Sequence, residues 1–339
     1  MKGECILMVL KEKDRKFNIF LSTIVMLLSL MVFTGCNNGK DDSDNYTFIK
    51  DINYTSAIIE KNNNIYLYDN NYGYLEPIGD LTRLKEFPAF SDDSNKVAFK
   101  YVDEKGKINI HDVRTMEDRV LEIKDEGEIS YIKWFGNFIV VGLYENPTTN
   151  KYLVYESENL QLVNSCRGIL IDVLDDGKTL VYGSNTQGVT SIYINDENIY
   201  TLEKTGEVLL GGKVSNNKGE ISFLTFVFDR ETFEQKEYLY TAKLKKNKLD
   251  DLKIISKPYE IYGDIIYDGD KIVILNQDEY TEVVNGDFIV RDLSEINTSI
   301  GENTNKLKGI LKNTFKSEIT DIDKSWIELG IENITWFTR

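Results

Sequence analysis

The chain is poor in the residues that most often carry chemistry. Its 339 residues include 3 Cys, 1 His and 4 Pro. Cys5, Cys36 and Cys166 are too few for a disulfide framework in a chain this long, so the fold must be held by its core. One histidine, His111, and no cysteine cluster leave no zinc-type ligand set, and no metal or cofactor is expected. So little proline excludes a collagenous or proline-rich chain. Basic residues are also in deficit, 40 Lys and Arg against 56 Asp and Glu, a formal net charge of -16. Such a chain repels phosphate backbones, so nucleic acid is not an expected partner. G-x-S-x-G, Walker, H-E-x-x-H and dinucleotide-glycine patterns are missing as well, and no catalytic residue is assigned. What is present is 41% hydrophobic and 12% aromatic residues, enough to offset the ordering entropy of a large core.

The N-terminus carries an address. Residues 11 to 16 read KEKDRK, and Ile19 to Phe33 is an uncharged apolar run. That pairing is the n-region and h-region of a secretory signal, and the run is short against the roughly 20 residues of a permanent span. Phe33-Thr34-Gly35-Cys36 follows, then the polar stretch NNGKDDSDN. Small residues before a cysteine at the end of an apolar run resemble the lipobox of bacterial lipoproteins, with Phe33 where that family most often has Leu. The resemblance implies removal of residues 1–35, diacylation of Cys36, and residues 36–45 as a tether holding residues 46–339 off the membrane. Met8 is an alternative start to Met1. The Asn- and Lys-rich composition points to a Gram-positive source, with the domain on the extracytoplasmic face of the cell membrane.

Past residue 46 the hydrophobic period is 2. NIYLYD (64–69), KVAFKY (96–101), FIVVGLY (138–144), TLVYGS (179–184) and KIVILNQ (271–277) alternate with Asn, Asp, Gly and Lys turns. This is an all-β pattern. A longer period overlies it: units begin near 46, 87, 128, 169, 207 and 258, mostly about 40 residues apart, each reading strand, polar turn, strand, loop, strand. Four strands at that period make one blade of a β-propeller, and six or seven blades are expected. FSDDSNKVAF and VLDDGKTLVY resemble the first hairpin of TolB-type and WD40-like repeats, with Asp92 and Asp175 in place of the usual turn Pro. INIHD and IYIND are similar to their third strands. The resemblance implies the fold and leaves function open, since such propellers serve as binding platforms and as enzyme scaffolds.

The C-terminal stretch is less regular. NKLKGILKNTF (305–315) fits a short helix or an outer strand, and SWIELGI with ENITWFTR (325–339) reads as a final hairpin. That hairpin is expected to close the ring against an early strand, YTFIKDI (46–52), because an open sheet edge is a liability.

Candidate sites are few. His111 lies in a third strand and reads as structural, and DDGKT (175–179) reads as a hairpin turn, since it lacks the leading Ser and closing Trp of a sialidase Asp-box. DDSDN (41–45) lacks the Gly and distal Glu of a calcium loop. Cys166 has no paired His and reads as an inert thiol. The loops between second and third strands remain. FDRETFEQKE (228–237) and NQDEYTEVVNGD (276–287) are the longest. Tyr144, Arg230, Phe233 and Tyr280, in or beside these loops, are the expected ligand contacts. The expectation is a monomeric, lipid-anchored propeller that binds a protein, peptide or cell-wall ligand; the alternative is a propeller hydrolase or lyase acting on extracellular glycan.

Overall fold

A computed structural model describes residues 49–337 other than 71–72, 92–94, 147–148, 175–176, 216–218, 229–233, 246–247, 277–278, 317, 320, 322–324 and 327. The expected signal peptide, the tether and Cys36 lie outside the described residues.

Twenty-three strands, β1 to β23, form five antiparallel sheets among these residues. The first sheet runs β23-β1-β2-β3, from Ile331–Phe337, Ser56–Lys61, Asn64–Asp69 and Tyr74–Ile78. The second holds β4 to β7, Lys85–Phe90, Lys96–Tyr101, Lys107–Asp112 and Glu117–Glu122. The third has seven strands in chain order, β8 (Glu128–Phe135), β9 (Phe138–Asn146), β10 (Thr149–Glu156), β11 (Leu162–Val173), β12 (Leu180–Thr186), β13 (Val189–Ile194) and β14 (Glu197–Thr201). The fourth holds β15 to β18, Val208–Ser215, Glu220–Phe228, Gln235–Lys245 and Lys248–Lys257. The fifth holds β19 to β22, Asp264–Asp268, Lys271–Leu275, Glu279–Val284 and Asp287–Asp292.

The seven-stranded sheet is two four-stranded sets sharing one strand. The first half of β11 pairs with β10 up to Asn150↔Gly168, and its second half pairs with β12 from Ile169↔Gly183. Gly168 makes the transfer possible. It sits at φ +140°, and a Cβ there would lie 2.0 Å from the Gly183 carbonyl oxygen.

From the first set to the last, each set packs one face on the set that follows it in the chain. Ile58, Ile65 and Leu67 meet Val97 and Phe99; Ile108 and Leu121 meet Ile132 and Trp134. Val140 and Val154 meet Leu170 and Leu180, and Val181 and Ile192 meet Leu209 and Phe223. Leu224 and Leu239 then meet Ile265 and Ile274. The first strands β4 and β8, β11 and β15, and β15 and β19 lie side by side. Small sheets stacked this way around a common axis form a β-propeller. The register slips near the start of four such first strands, at Glu86/Ala89, Ile129/Tyr131, Leu170/Asp172 and Leu209/Gly211. A bulge adds local twist, which suits the strand that must bend along the axis.

Closure differs in detail from the sequence expectation. The C-terminus does close the first sheet, but as one innermost strand: β23 pairs with β1 from Ser56↔Phe337 to Lys61↔Ile331. Residues 49–51 are a single 3-10 turn, and Trp326 and 328–330 form turns. Gly330 takes φ +71° directly before β23, where the chain turns into that strand. The helix Thr298–Thr314 occupies the gap between the fifth and first sheets, its N-terminus capped by the Asn297 side chain. Its buried Leu307 and Leu311 pack on Ala57, Ile59 and Tyr68, while Ile300 joins Ile49, Val273 and Tyr280. Asn297 Nδ2 donates to the carbonyls of Ile49 (2.6 Å) and Ile52 (2.8 Å), tying the N-terminal segment to this wedge.

The closing seam carries a titratable group. Glu60 on β1 faces Asn333 across the ladder, and burial together with the Glu332 charge pushes its carboxyl up to about 7 from an ordinary 4.5. The folded state therefore binds more protons than the unfolded state between those values, and stability falls as pH rises through that window. Glu60→Gln should remove this slope and raise stability at pH 8 by about 1 kcal/mol, a figure discounted for partial exposure. Urea denaturation of both chains at pH 4.5 and pH 8 checks it; an unchanged pH dependence would show that Glu60 is solvated.

Candidate functional site

The first strands bring side chains from separate units to one cavity on the axis, of ≈ 390 Å³. In β8 alternate residues divide by face. Ile132 and Trp134 are buried toward the second sheet, and Tyr131, Lys133 and Phe135 line the cavity. β11 contributes Ile169 to Ile171, β15 contributes Leu210 to Lys213, and β19 contributes Asp264 after the connection Ile261 to Gly263.

Charge in the cavity is arranged in pairs. Lys133 Nζ lies 2.8 Å from Asp264 Oδ2, linking β8 to β19, with side chains 41% and 74% exposed. Lys213 Nζ lies 2.9 Å from Asp172 Oδ1. Asp172 is buried and accepts further hydrogen bonds from the backbone N–H groups of Val173 and Val214, each 2.9 Å. Lys257 Nζ meets Glu237 Oε2 at 2.7 Å, deeply buried, and also donates to the carbonyls of Pro258 and Ile261. That clamp fixes the β18–β19 connection, from which Tyr259 and Tyr262 project as the most exposed large hydrophobic side chains described.

Aromatic rings form the walls. Tyr131 and Tyr152 meet edge to face with centroids 5.6 Å apart. Burial, then the nearby Asp264 charge, raises the Tyr131 hydroxyl well above its ordinary pKa, so it stays a neutral donor. Asn150 Nδ2 donates to Tyr152 Oη at 3.3 Å, and Asn150 Oδ1 is buried without a partner among the described residues. On the far side of the Lys133–Asp264 pair a crevice of ≈ 520 Å³ opens between the fifth and first sheets, walled by Ile266, Leu293, Ile300, Ile334 and Trp336.

The sequence-derived candidates divide. Tyr144 is half-exposed on β9 and is the ladder partner of Asn150, so it shares a sheet face with the cavity wall. Arg230 and Phe233 lie outside the described residues. Tyr280 is a correction: it is 3% exposed, and its hydroxyl donates to Asp268 Oδ2 at 2.6 Å. Residues 279–284, expected as loop, are strand β21, and Asn285-Gly286 at φ +53° and +93° is a two-residue hairpin turn. The acidic residues masked its alternation. His111 is buried, with Nδ1 2.9 Å from Asp118 Oδ1. Burial pushes the Cys166 thiol up to about 12, which keeps it unreactive.

The cavity residues Lys133, Lys213 and Asp264, and Asp172 buried beneath Lys213, were missed from sequence. A signal existed: a lone charge inside an otherwise apolar first strand, in SYIKWF, GILIDVL and LLGGKVS.

The sequence matches no protein-family model and no curated protein. Among solved structures it is similar to a chain of the mitotic checkpoint complex, at 11% identity and TM-score 0.40, covering 76% of this chain and 96% of that one. It is also similar to TolB from Acinetobacter baumannii, at 12% identity and TM-score 0.42, covering 74% of this chain and 63% of TolB. The present chain thus spans less than two thirds of the TolB chain it matches. These likenesses concern the fold alone.

Proposed function

We propose that the chain is a lipid-anchored extracytoplasmic protein whose six-bladed propeller binds a protein or peptide partner at the mouth of the axial cavity. The six blades are the four four-stranded sheets plus the two sets that share β11. The reading rests chiefly on one observation: the carboxylates of the cavity are each held by a lysine. Glycoside hydrolysis needs two carboxyl groups facing one bond, one of them able to give up a proton. Asp172 accepts three hydrogen bonds, and Glu237 is sealed under Lys257. What the mouth offers instead is exposed Tyr259 and Tyr262 on a clamped connection, the rigid aromatic display that recognition favours.

One experiment tests address and surface together. The full chain carries a photo-crosslinking residue at Tyr262, or at Val120 on an outermost strand as control, with and without Cys36→Ala. Expected are a discrete adduct from position 262 only and membrane fractionation that Cys36→Ala abolishes. Equal labelling from both positions would remove the mouth as the binding surface, and a Cys36→Ala chain still bound to membranes would remove the anchor.

A further inference from the structure

Two lysines of the cavity converge on one ring. Lys133 Nζ lies 5.9 Å and Lys213 Nζ 5.3 Å from the centroid of Phe135. Among the described residues each ammonium makes a single ionic hydrogen bond, so two N–H groups on each remain for a ligand. Lys257 differs, because Glu237 and two carbonyls use its donors. The two carboxylate partners also differ. Asp172 is fixed by backbone N–H groups and cannot leave, whereas Asp264 is 74% exposed and holds Lys133 only by a solvated pair. An incoming carboxylate can therefore take Lys133 while Asp264 turns to water.

Two further features narrow the ligand. Asn150 Oδ1 is a buried acceptor without a donor on the same cavity wall. The strand at Gly211 is open, since a Cβ there would meet nothing within 4 Å. The remaining walls are Tyr131, Tyr152, Tyr262, aliphatic side chains and the mutually paired Glu237 and Lys257. One anion, one N–H donor and an apolar body match the end of a peptide. A sugar acid would bring several hydroxyl donors to walls on which Asn150 Oδ1 is the one unpaired buried acceptor among the described residues.

We propose, resting on the binding reading above, that the cavity takes the free C-terminal carboxylate of a peptide between Lys133 and Lys213. The last backbone N–H of that peptide donates to Asn150 Oδ1, and its side chain lies against the tyrosines.

The test is calorimetric titration of the full-length chain in detergent micelles with N-acetyl-L-phenylalanine, its neutral amide, and glucuronate. The carboxylate should bind, with the amide about tenfold weaker or more, since a charge-assisted contact is lost. Lys133→Met and Lys213→Met should each weaken it about fivefold or more, and Asp264→Asn should tighten it severalfold by removing the competitor. If Lys213→Met lowers the melting temperature, Lys133→Met, which breaks only a solvated pair, decides the matter. Equal binding of the amide, undiminished binding by Lys133→Met, weaker binding by Asp264→Asn, preference for glucuronate, or no carboxylate binding at all would each overturn the assignment. Adducts from position 262 alongside any of these would leave the binding reading standing and sink this inference alone.

Discussion

Removing Ser325 to Arg339 should abolish the folded domain or lower its melting temperature by roughly 15 °C or more. The deletion takes away β23, the innermost strand of the first sheet, and leaves the β1 ladder from Ser56 to Lys61 unpaired on one side. It also removes the buried side chains of Trp326, Leu329, Ile331 and Ile334. Each such loss costs about 2–4 kcal/mol, so the total approaches the whole stability of an ordinary domain. Lys61, itself buried, would lose the Leu329 carbonyl at 3.2 Å and keep Glu318 at 3.0 Å and the Phe315 ring. The edge-to-face contact of Trp336 with Tyr68 would go too. Thermal melts followed by circular dichroism check this. A truncated chain melting within about 2 °C of the full one would mean that the ring does not depend on its C-terminal strand.

Breaking the buried ion pair should have the next largest effect. Glu237 and Lys257 face each other across the β17–β18 ladder at 2.7 Å, with side chains 10% and 2% exposed. Glu237→Ala leaves a buried ammonium with carbonyl oxygens alone, and Lys257→Met leaves a carboxylate whose remaining described partner is Gln235 Nε2 at 2.7 Å. Either change should cost about 3–5 kcal/mol, because the surviving charge keeps its desolvation penalty and loses its compensation. Glu237→Leu combined with Lys257→Met should recover most of that, since apolar isosteres carry no such penalty. Urea midpoints of the three variants provide the check, and single variants within about 0.5 kcal/mol of the parent would show that water reaches the pair. The clamp also positions Tyr259 and Tyr262, so crosslinking from position 262 should decline with the single variants.

Much of this fold was legible because its repeat is written in turns. Units read as starting near 87, 128, 169 and 207 have first strands that begin at Lys85, Glu128, Ile169 within β11, and Val208. Asp-Gly, Gly-Asn and similar pairs mark hairpins locally, and period 2 marks the strands between them. The first unit, placed at 46, was misread for a physical reason. The pairing of the two chain ends was expected, but the early partner is Ser56–Lys61, and nothing local distinguishes that run from YTFIKDI as the strand that meets the C-terminus. The helix Thr298–Thr314 was half legible: NKLKGILKNTF has helical spacing, but only the wedge between two sheets gives it something to pack on.

The site was far less legible than the fold. Lys133, Asp172, Lys213 and Asp264 lie on four different first strands, and they meet only once those strands surround one axis. Loop length, the signal used instead, pointed to Tyr280, whose ring fills the space beside Val273 and Ile300. An acid-rich strand on a half-exposed sheet resembles a loop in composition. Only the alternation of its buried positions and the Asn285-Gly286 turn distinguish the two.

The shared strand β11 has a consequence for how such a ring is inherited. Blades joined by a loop can be duplicated, lost or exchanged singly, because the break falls in a segment that pairs with nothing. Between Asn150↔Gly168 and Ile169↔Gly183 there is no such segment. A recombination point there would fall inside one continuous strand, with paired residues on both sides of it. The same continuity denies a protease or an inserted domain any foothold between the two sets that share β11.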